Sequence, residues 1–229
     1  MRVVSPAGAV STLAGSGVAA YADGTGTAAS FNNPLALAVD GAGSVYLLDG
    51  SNYRLRKITP GGVVSTLAGS GAAAFADGAG TAASFYTPTG IALGAAGNLY
   101  IADRDTERIR MYTAATGVMS TVAGIGIASY ADGNGAEAGF NAPNAVAVDA
   151  LGTVYIAELG TCLVRMLSPA GSVSTLAGYA GVCAYTDGAA ISSRFNNPWG
   201  IAVDTAGNLY IADSGNHVIR KMTLTTPAS

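Results

Sequence analysis

Histidine is almost missing from this 229-residue chain, with His217 the only one. That excludes a multi-histidine zinc centre, which needs two or three imidazoles converging on one ion. Charge is scarce as well: 11% of residues are charged and the formal net charge is −3. No basic field exists to hold nucleic acid, so a nucleic-acid partner is excluded. No apolar run approaches the ~20 residues needed to cross a bilayer, so no membrane span is expected. The start, Met1-Arg-Val-Val-Ser-Pro6, lacks an apolar segment of signal-peptide length. An export signal has therefore been removed, or the chain is a piece of something longer. No Gly-x-Ser-x-Gly nucleophile elbow occurs either.

What the chain has in abundance is repetition. Val-Ser-Thr-Leu-Ala-Gly begins at residue 10 and returns almost unchanged at 64, 119 and 173. A second tetrapeptide keeps step: Tyr46-Leu-Leu-Asp49, Tyr100-Ile-Ala-Asp103, Tyr155-Ile-Ala-Glu158 and Tyr210-Ile-Ala-Asp213. So do Pro34, Pro88, Pro143 and Pro198. A fixed period near 50 residues filled with short β-type segments is the signature of a solenoid or propeller. Half the residues are apolar, many of them alanine, and 32 are glycine. This predicts closely spaced sheets with small side chains between them.

Within one period four strands are expected: 35–39, 44–48, 53–59 and 63–68. Turns at Asp40–Gly43, Asp49–Asn52 and Pro60–Gly62 separate them. Four antiparallel strands per unit, with no helix-length amphipathic stretch, favour a propeller blade over a helical repeat. The long segments before each proline carry Asp23, Asp77, Asp132 and Asp187, each followed by glycine, which suggests Asx-type turns. Residues 81–84 are expected to form one helical turn. The aromatics Tyr21, Phe75, Tyr130 and Tyr185, and the phenylalanines 31, 85, 140 and 195, are expected to be hydrophobic pegs.

The string from Pro198-Trp-Gly-Ile-Ala-Val-Asp204 through Asn208-Leu-Tyr-Ile-Ala-Asp213 to Asn216-His217-Val-Ile-Arg220-Lys resembles an NHL repeat. Three weaker copies precede it, and together they cover nearly the whole chain. The resemblance implies a β-propeller, often six-bladed, used mainly as an interaction platform and sometimes as an enzyme. About four repeats are present here.

The predicted fold is all-β: a propeller of four blades, each of four antiparallel strands. Residues 1–229 read as a single domain, with repeats at about 16–69, 70–124, 125–178, and 179–223 plus 9–14. Pairing of the N- and C-terminal segments would close the ring, Ala9–Ala14 acting as the fourth strand of the last blade. Residues 1–8 and 224–229 would then be surplus. An open ring would point to a homodimer of eight blades.

Positions repeated four times read as frame. Asp49/Arg56, Asp103/Arg110, Glu158/Arg165 and Asp213/Arg220 share a seven-residue spacing that suits a structural ion pair across a short loop. Asp40, Asp149 and Asp204 precede turns and are expected to accept backbone N–H bonds, with Gly94 in the second unit's place. Calcium wants six to eight oxygens, and each Asp-Gly loop offers one carboxylate. No metal, cofactor or catalytic residue is assigned.

Positions that differ between copies read as site. The post-proline residues Leu35, Thr89, Asn144 and Trp199 should ring the channel mouth. Loop residues Tyr53, Arg104, Glu107 and His217 should open on the same face. These eight form the expected ligand-binding set, with the ligand a protein, a small molecule or a glycan. Trp199, the sole tryptophan, is the leading contact residue. Cys162 and Cys183 each break the repeat in neighbouring loops and are expected to form a disulfide. That favours an extracellular or cell-surface location.

The expected function is a non-catalytic binding or assembly module. Two alternatives stand beside it: a hydrolase or lyase of the NHL-like propeller type, and a structural piece of a larger propeller or extracellular assembly.

Overall fold

The structure, a computed structural model, describes residues 1–224. It opens with a hairpin of β1 (Arg2–Val4) and β2 (Val10–Thr12). Three five-stranded antiparallel sheets and one three-stranded sheet follow. The first blade holds the short β3 (Gly24–Thr25) and then β4 (Pro34–Val39), β5 (Val45–Asp49), β6 (Arg54–Ile58) and β7 (Val63–Ala68). The second holds β8 (Gly78–Ala79), β9 (Pro88–Leu93), β10 (Leu99–Asp103), β11 (Arg108–Thr113) and β12 (Val118–Ala123). The third holds β13 (Gly133–Asn134), β14 (Pro143–Val148), β15 (Val154–Glu158), β16 (Leu163–Leu167) and β17 (Ser172–Ala177). The fourth holds β18 (Pro198–Val203), β19 (Asn208–Asp213) and β20 (Val218–Thr223). This is the expected four-bladed, all-β propeller architecture, with the repeated Val-Ser-Thr-Leu-Ala as the fourth strand of each complete blade. Residues 80–82 form a short 3-10 turn, one residue earlier than the sequence suggested.

The core lies between blades. Leu48, Leu55 and Ala68 of the first blade pack on Phe85, Ile91, Leu99 and Ile101 of the second. Three of the four phenylalanines before the prolines are pegs in this sense: Phe85 and Phe140 are fully buried and Phe195 nearly so, while Phe31 in the first blade is only partly buried. Burial of each ring contributes about 1.5–3 kcal/mol. The glycine ending the repeated motif is required by close approach. A Cβ on Gly69 would run into the Tyr53 carbonyl oxygen, and one on Gly124 into that of Glu107.

Closure by the terminal segments does not occur. The β1–β2 hairpin and the β18–β20 sheet are separate, with no ladder between them among the described residues. Residues 1–8 are not surplus, because Arg2–Val4 occupies the third-strand place beside β2, in the register Arg2 opposite Thr12. Both end blades consequently expose positions that are buried elsewhere. Leu37 is 55% exposed where Ile91 and Val146 are 8% and 6%, and Ile219 is 71% exposed where Leu55 and Ile109 are 0%. The last residues of the expected C-terminal overhang, 225–229, lie outside the described residues.

Candidate binding face

The prolines and the second-to-third-strand loops share one end of every blade, since Pro34 pairs with Asp49, Pro88 with Asp103, Pro143 with Glu158 and Pro198 with Asp213. Each loop ends in a non-glycine residue forced into the left-handed region: Tyr53 (φ 52°), Glu107 (56°), Cys162 (57°) and His217 (59°). The third strand then starts straight from the turn. The Asp40–Gly43 and Pro60–Gly62 turns lie at the other end of the sheet.

Beneath this face each blade is pinned by a buried arginine. Arg110 bonds Asp103 at 3.3 Å and Asp77 at 2.6 Å, and donates to the Ala76 and Ser84 carbonyls. Arg56, Arg165 and Arg220 repeat the arrangement with Asp49 and Asp23, Glu158 and Asp132, and Asp213 and Asp187. The seven-residue pairs are therefore ion pairs. The Asp-Gly acids, read from sequence as Asx turns, are the second half of each clamp. Three of them also hold the fourth strand: Thr66 donates from its hydroxyl and its N–H to Asp23, Thr121 does so to Asp77, and Thr175 Oγ1 donates to Asp132. The only sequence signal for this was a constant separation of 33 residues from acid to arginine.

Tyr21, Phe75, Tyr130 and Tyr185 are not buried pegs. They remain 42–56% exposed and lie over guanidinium groups, Tyr21 at 3.9 Å from Arg54 and Phe75 at 3.9 Å from Arg108. The turn acids behave as expected. Asp40 accepts the Ala42 and Ser44 N–H groups, bonds that hold its carboxyl below the ordinary carboxylate range. In the second blade a Cβ on Gly94 would meet the Tyr100 ring at 2.8 Å.

The eight expected contact residues divide into two groups. Thr89 and Asn144 join the blades: Thr89 Oγ1 donates to the Asn144 carbonyl at 2.8 Å, and Asn144 Nδ2 to the Trp199 carbonyl at 2.6 Å. Asn144 is buried, and its Oδ1 has no donor among the described residues. Trp199 is 52% exposed, and Leu35 and His217 are also exposed. Arg104 forms an ion pair with Asp105 at 2.8 Å, while Asp105 accepts the Thr87 hydroxyl. Glu107 Oε2 accepts the Ala142 N–H at 2.6 Å, reaching the third blade. Burial raises the Glu107 carboxyl above its ordinary range, against the pull of that bond. Tyr53 is half-buried beside Gly50 and Leu35. Cys162 and Cys183 are disulfide-bonded, with Cα atoms 5.4 Å apart. The bridge ties the third blade's loop to the segment leading into the fourth.

The NHL repeat family matches residues 195–222, which hold Phe195, the Pro198 strand and the Asp213–Arg220 ion pair. Residues 195–222 thus carry an NHL repeat. Over 233 residues it is 28% identical to mouse Teneurin-3, covering 89% of this chain and 8% of that protein. It spans 8% of the length of the curated relatives it matches. Among solved structures, the NHL propeller superposes on an auxiliary nutrient binding protein from Bacteroides ovatus with a TM-score of 0.67. Identity is 22%, over 84% of this chain and 48% of that one. Virginiamycin B lyase from Staphylococcus aureus gives 0.56 at 14% identity, over 99% of this chain and 63% of the other. At these identities the likeness is one of fold. Function rests on the site itself.

Proposed function

We propose that this NHL propeller is a non-catalytic binding module whose contact face is the proline end of its blades. The observation that carries this reading is Trp199. The sole tryptophan is half exposed on an inner strand, its backbone held by Asn144. A rigid amphipathic ring standing out of a braced frame is the kind of residue that dominates binding energy. Arg104, Asp105 and Glu107 supply charge of both signs on the same face, and His217 adds an exposed imidazole. The nutrient-binding neighbour supports a small-molecule or glycan ligand, and the disulfide supports an extracellular or cell-surface setting.

Trp199 emission is the direct test. Titration with a glycan and peptide panel should yield a ligand that shifts it. Trp199→Ala should weaken that ligand at least about tenfold, while Gly61→Ala, at the opposite end, should leave it unchanged. Equal losses at both places would refute the assignment. Turnover abolished by His217→Ala would replace it with an enzyme.

A further inference from the structure

The residue that ends each second-to-third-strand loop lies at the junction with the next blade, and it differs at every junction. Between the second and third blades Glu107 Oε2 accepts the Ala142 N–H at 2.6 Å. Between the third blade and the segment entering the fourth, Cys162 is bonded to Cys183. Both junctions are closed by a bond from this one position. Between the first and second blades the position is held by Tyr53, whose hydroxyl makes no hydrogen bond among the described residues. There the proline end of the propeller holds a cavity of about 220 Å³ instead.

Gly50 keeps this cavity open. The other blades carry Arg104, Leu159 and Ser214 at its place. A Cβ on Gly50 would lie 2.6 Å from Leu35 Cδ1 and 2.9 Å from the Asn33 carbonyl oxygen. The first-blade wall is fixed by backbone bonds, Gly50 N–H donating to the Asn33 carbonyl and Ser51 N–H to the Asn32 carbonyl. The second-blade wall is Tyr86 and Thr87, whose N–H groups donate to the buried Asp103 carboxylate at 3.2 and 2.9 Å. The Thr87 hydroxyl donates to Asp105. Both walls are therefore braced from behind, while the Tyr86 side chain stays 48% exposed.

The lining decides the chemistry. No charged side chain borders the cavity, so nothing there would offset the desolvation of an ionic ligand. Apolar area comes from the rings of Tyr53 and Tyr86 and from Leu35. The Asn33 amide, the Ser51 hydroxyl and the two phenol hydroxyls make no hydrogen bond among the described residues, and each can both donate and accept. At about 220 Å³ the cavity is smaller than the ~300–1,000 Å³ of a drug-sized site and has room for one ring. We propose that it binds a single neutral sugar ring, with the C–H face against Tyr86 and the hydroxyls on Asn33 and Ser51. A peptide side chain would use the aromatic walls but leave those polar groups unmatched. This inference rests on the proline end being the contact face and gives that face a ligand class.

Saturation-transfer NMR with the methyl glycosides of glucose, galactose, mannose and N-acetylglucosamine should detect at least one that binds in the millimolar range. Tyr86→Ala should weaken that sugar about tenfold, and Tyr86→Phe should keep most of the affinity. Ala73→Trp, which fills the cavity from its rim, should abolish binding. Tyr86 and Ala73 are exposed, so these variants should fold, which circular dichroism would verify. Tyr130→Ala removes a similarly exposed tyrosine from the third blade's long loop and should change nothing. No binding by any of these sugars, or binding that survives Tyr86→Ala and Ala73→Trp, overturns the proposal. Capture of tyrosine- or proline-rich peptides in place of sugars overturns it too. A ligand that shifts Trp199 emission but is indifferent to Tyr86→Ala keeps the contact face and removes this cavity from it. Sugar binding lost in Tyr86→Ala yet untouched by Trp199→Ala keeps the cavity and refutes Trp199 as the dominant contact.

Discussion

Arg110 and Asp77 are 33 residues apart in the chain and meet at 2.6 Å. With Asp103 on its other side, the guanidinium joins the second strand, the third strand and the long connecting loop of one blade. All of its bonds are to groups of its own blade, and the side chain is fully buried. The clamp is frame.

Replacing Arg110 with methionine should therefore lower stability without touching the binding face. Removing one partner of a buried pair costs about 3–5 kcal/mol because the other charge is left stranded. At roughly 2–4 °C per kcal/mol for a chain of this size, melting should fall by about 10 °C. Calorimetry measures this. Unchanged melting together with lost ligand binding would make the arginine a site residue.

The Cys162–Cys183 bridge closes a loop of 21 residues. In the chain-entropy model such a loop stabilises by about 3 kcal/mol. Reductant, or a double Cys→Ser variant, should lower the melting temperature by about 6–12 °C. Identical melting curves with and without reductant would show that the bridge contributes nothing.

Glu107 gives a pH dependence of defined sign. Burial raises its folded-state pKa above the ordinary 4.5. Its contribution to stability is thus full below that value and is lost as pH rises through the higher folded one. Relative to the parent, Glu107→Gln should flatten the decline in stability just above pH 4.5. Denaturant midpoints across that window decide it. Parallel curves would mean that the carboxyl titrates as it does in the unfolded chain.

The parts legible from sequence share one property: each depends on residues close together or on breaks in the repeat. β7 spans Val63–Ala68 as expected, because β-branched residues between a Pro-Gly-Gly turn and a glycine leave few alternatives. The acid–arginine pairs were visible because seven residues span one tight loop. The two cysteines stood out because no other copy holds cysteine there. The outer clamp acids were not legible, since their 33-residue separation becomes a contact only when the long loop folds back over its own blade. Tyr21 and Phe75 were misjudged for the same reason, because the surface they cover is a guanidinium assembled from two distant segments.

Local chemistry, then, determined the blade: strand lengths, turn residues, the inner ion pair and the bridge all follow from interactions within a few tens of residues. Tertiary structure decided how blades meet. Thr89 and Asn144 look like free channel-mouth residues in sequence, yet the inner strands approach so closely that a Cβ on Gly90 would lie 2.6 Å from the Asn144 carbonyl, and both side chains bond across the gap. It also decided that the hairpin and the last blade stay apart. Whether β2 reaches β20 depends on where four packed sheets carry the two strands. No local propensity encodes that position.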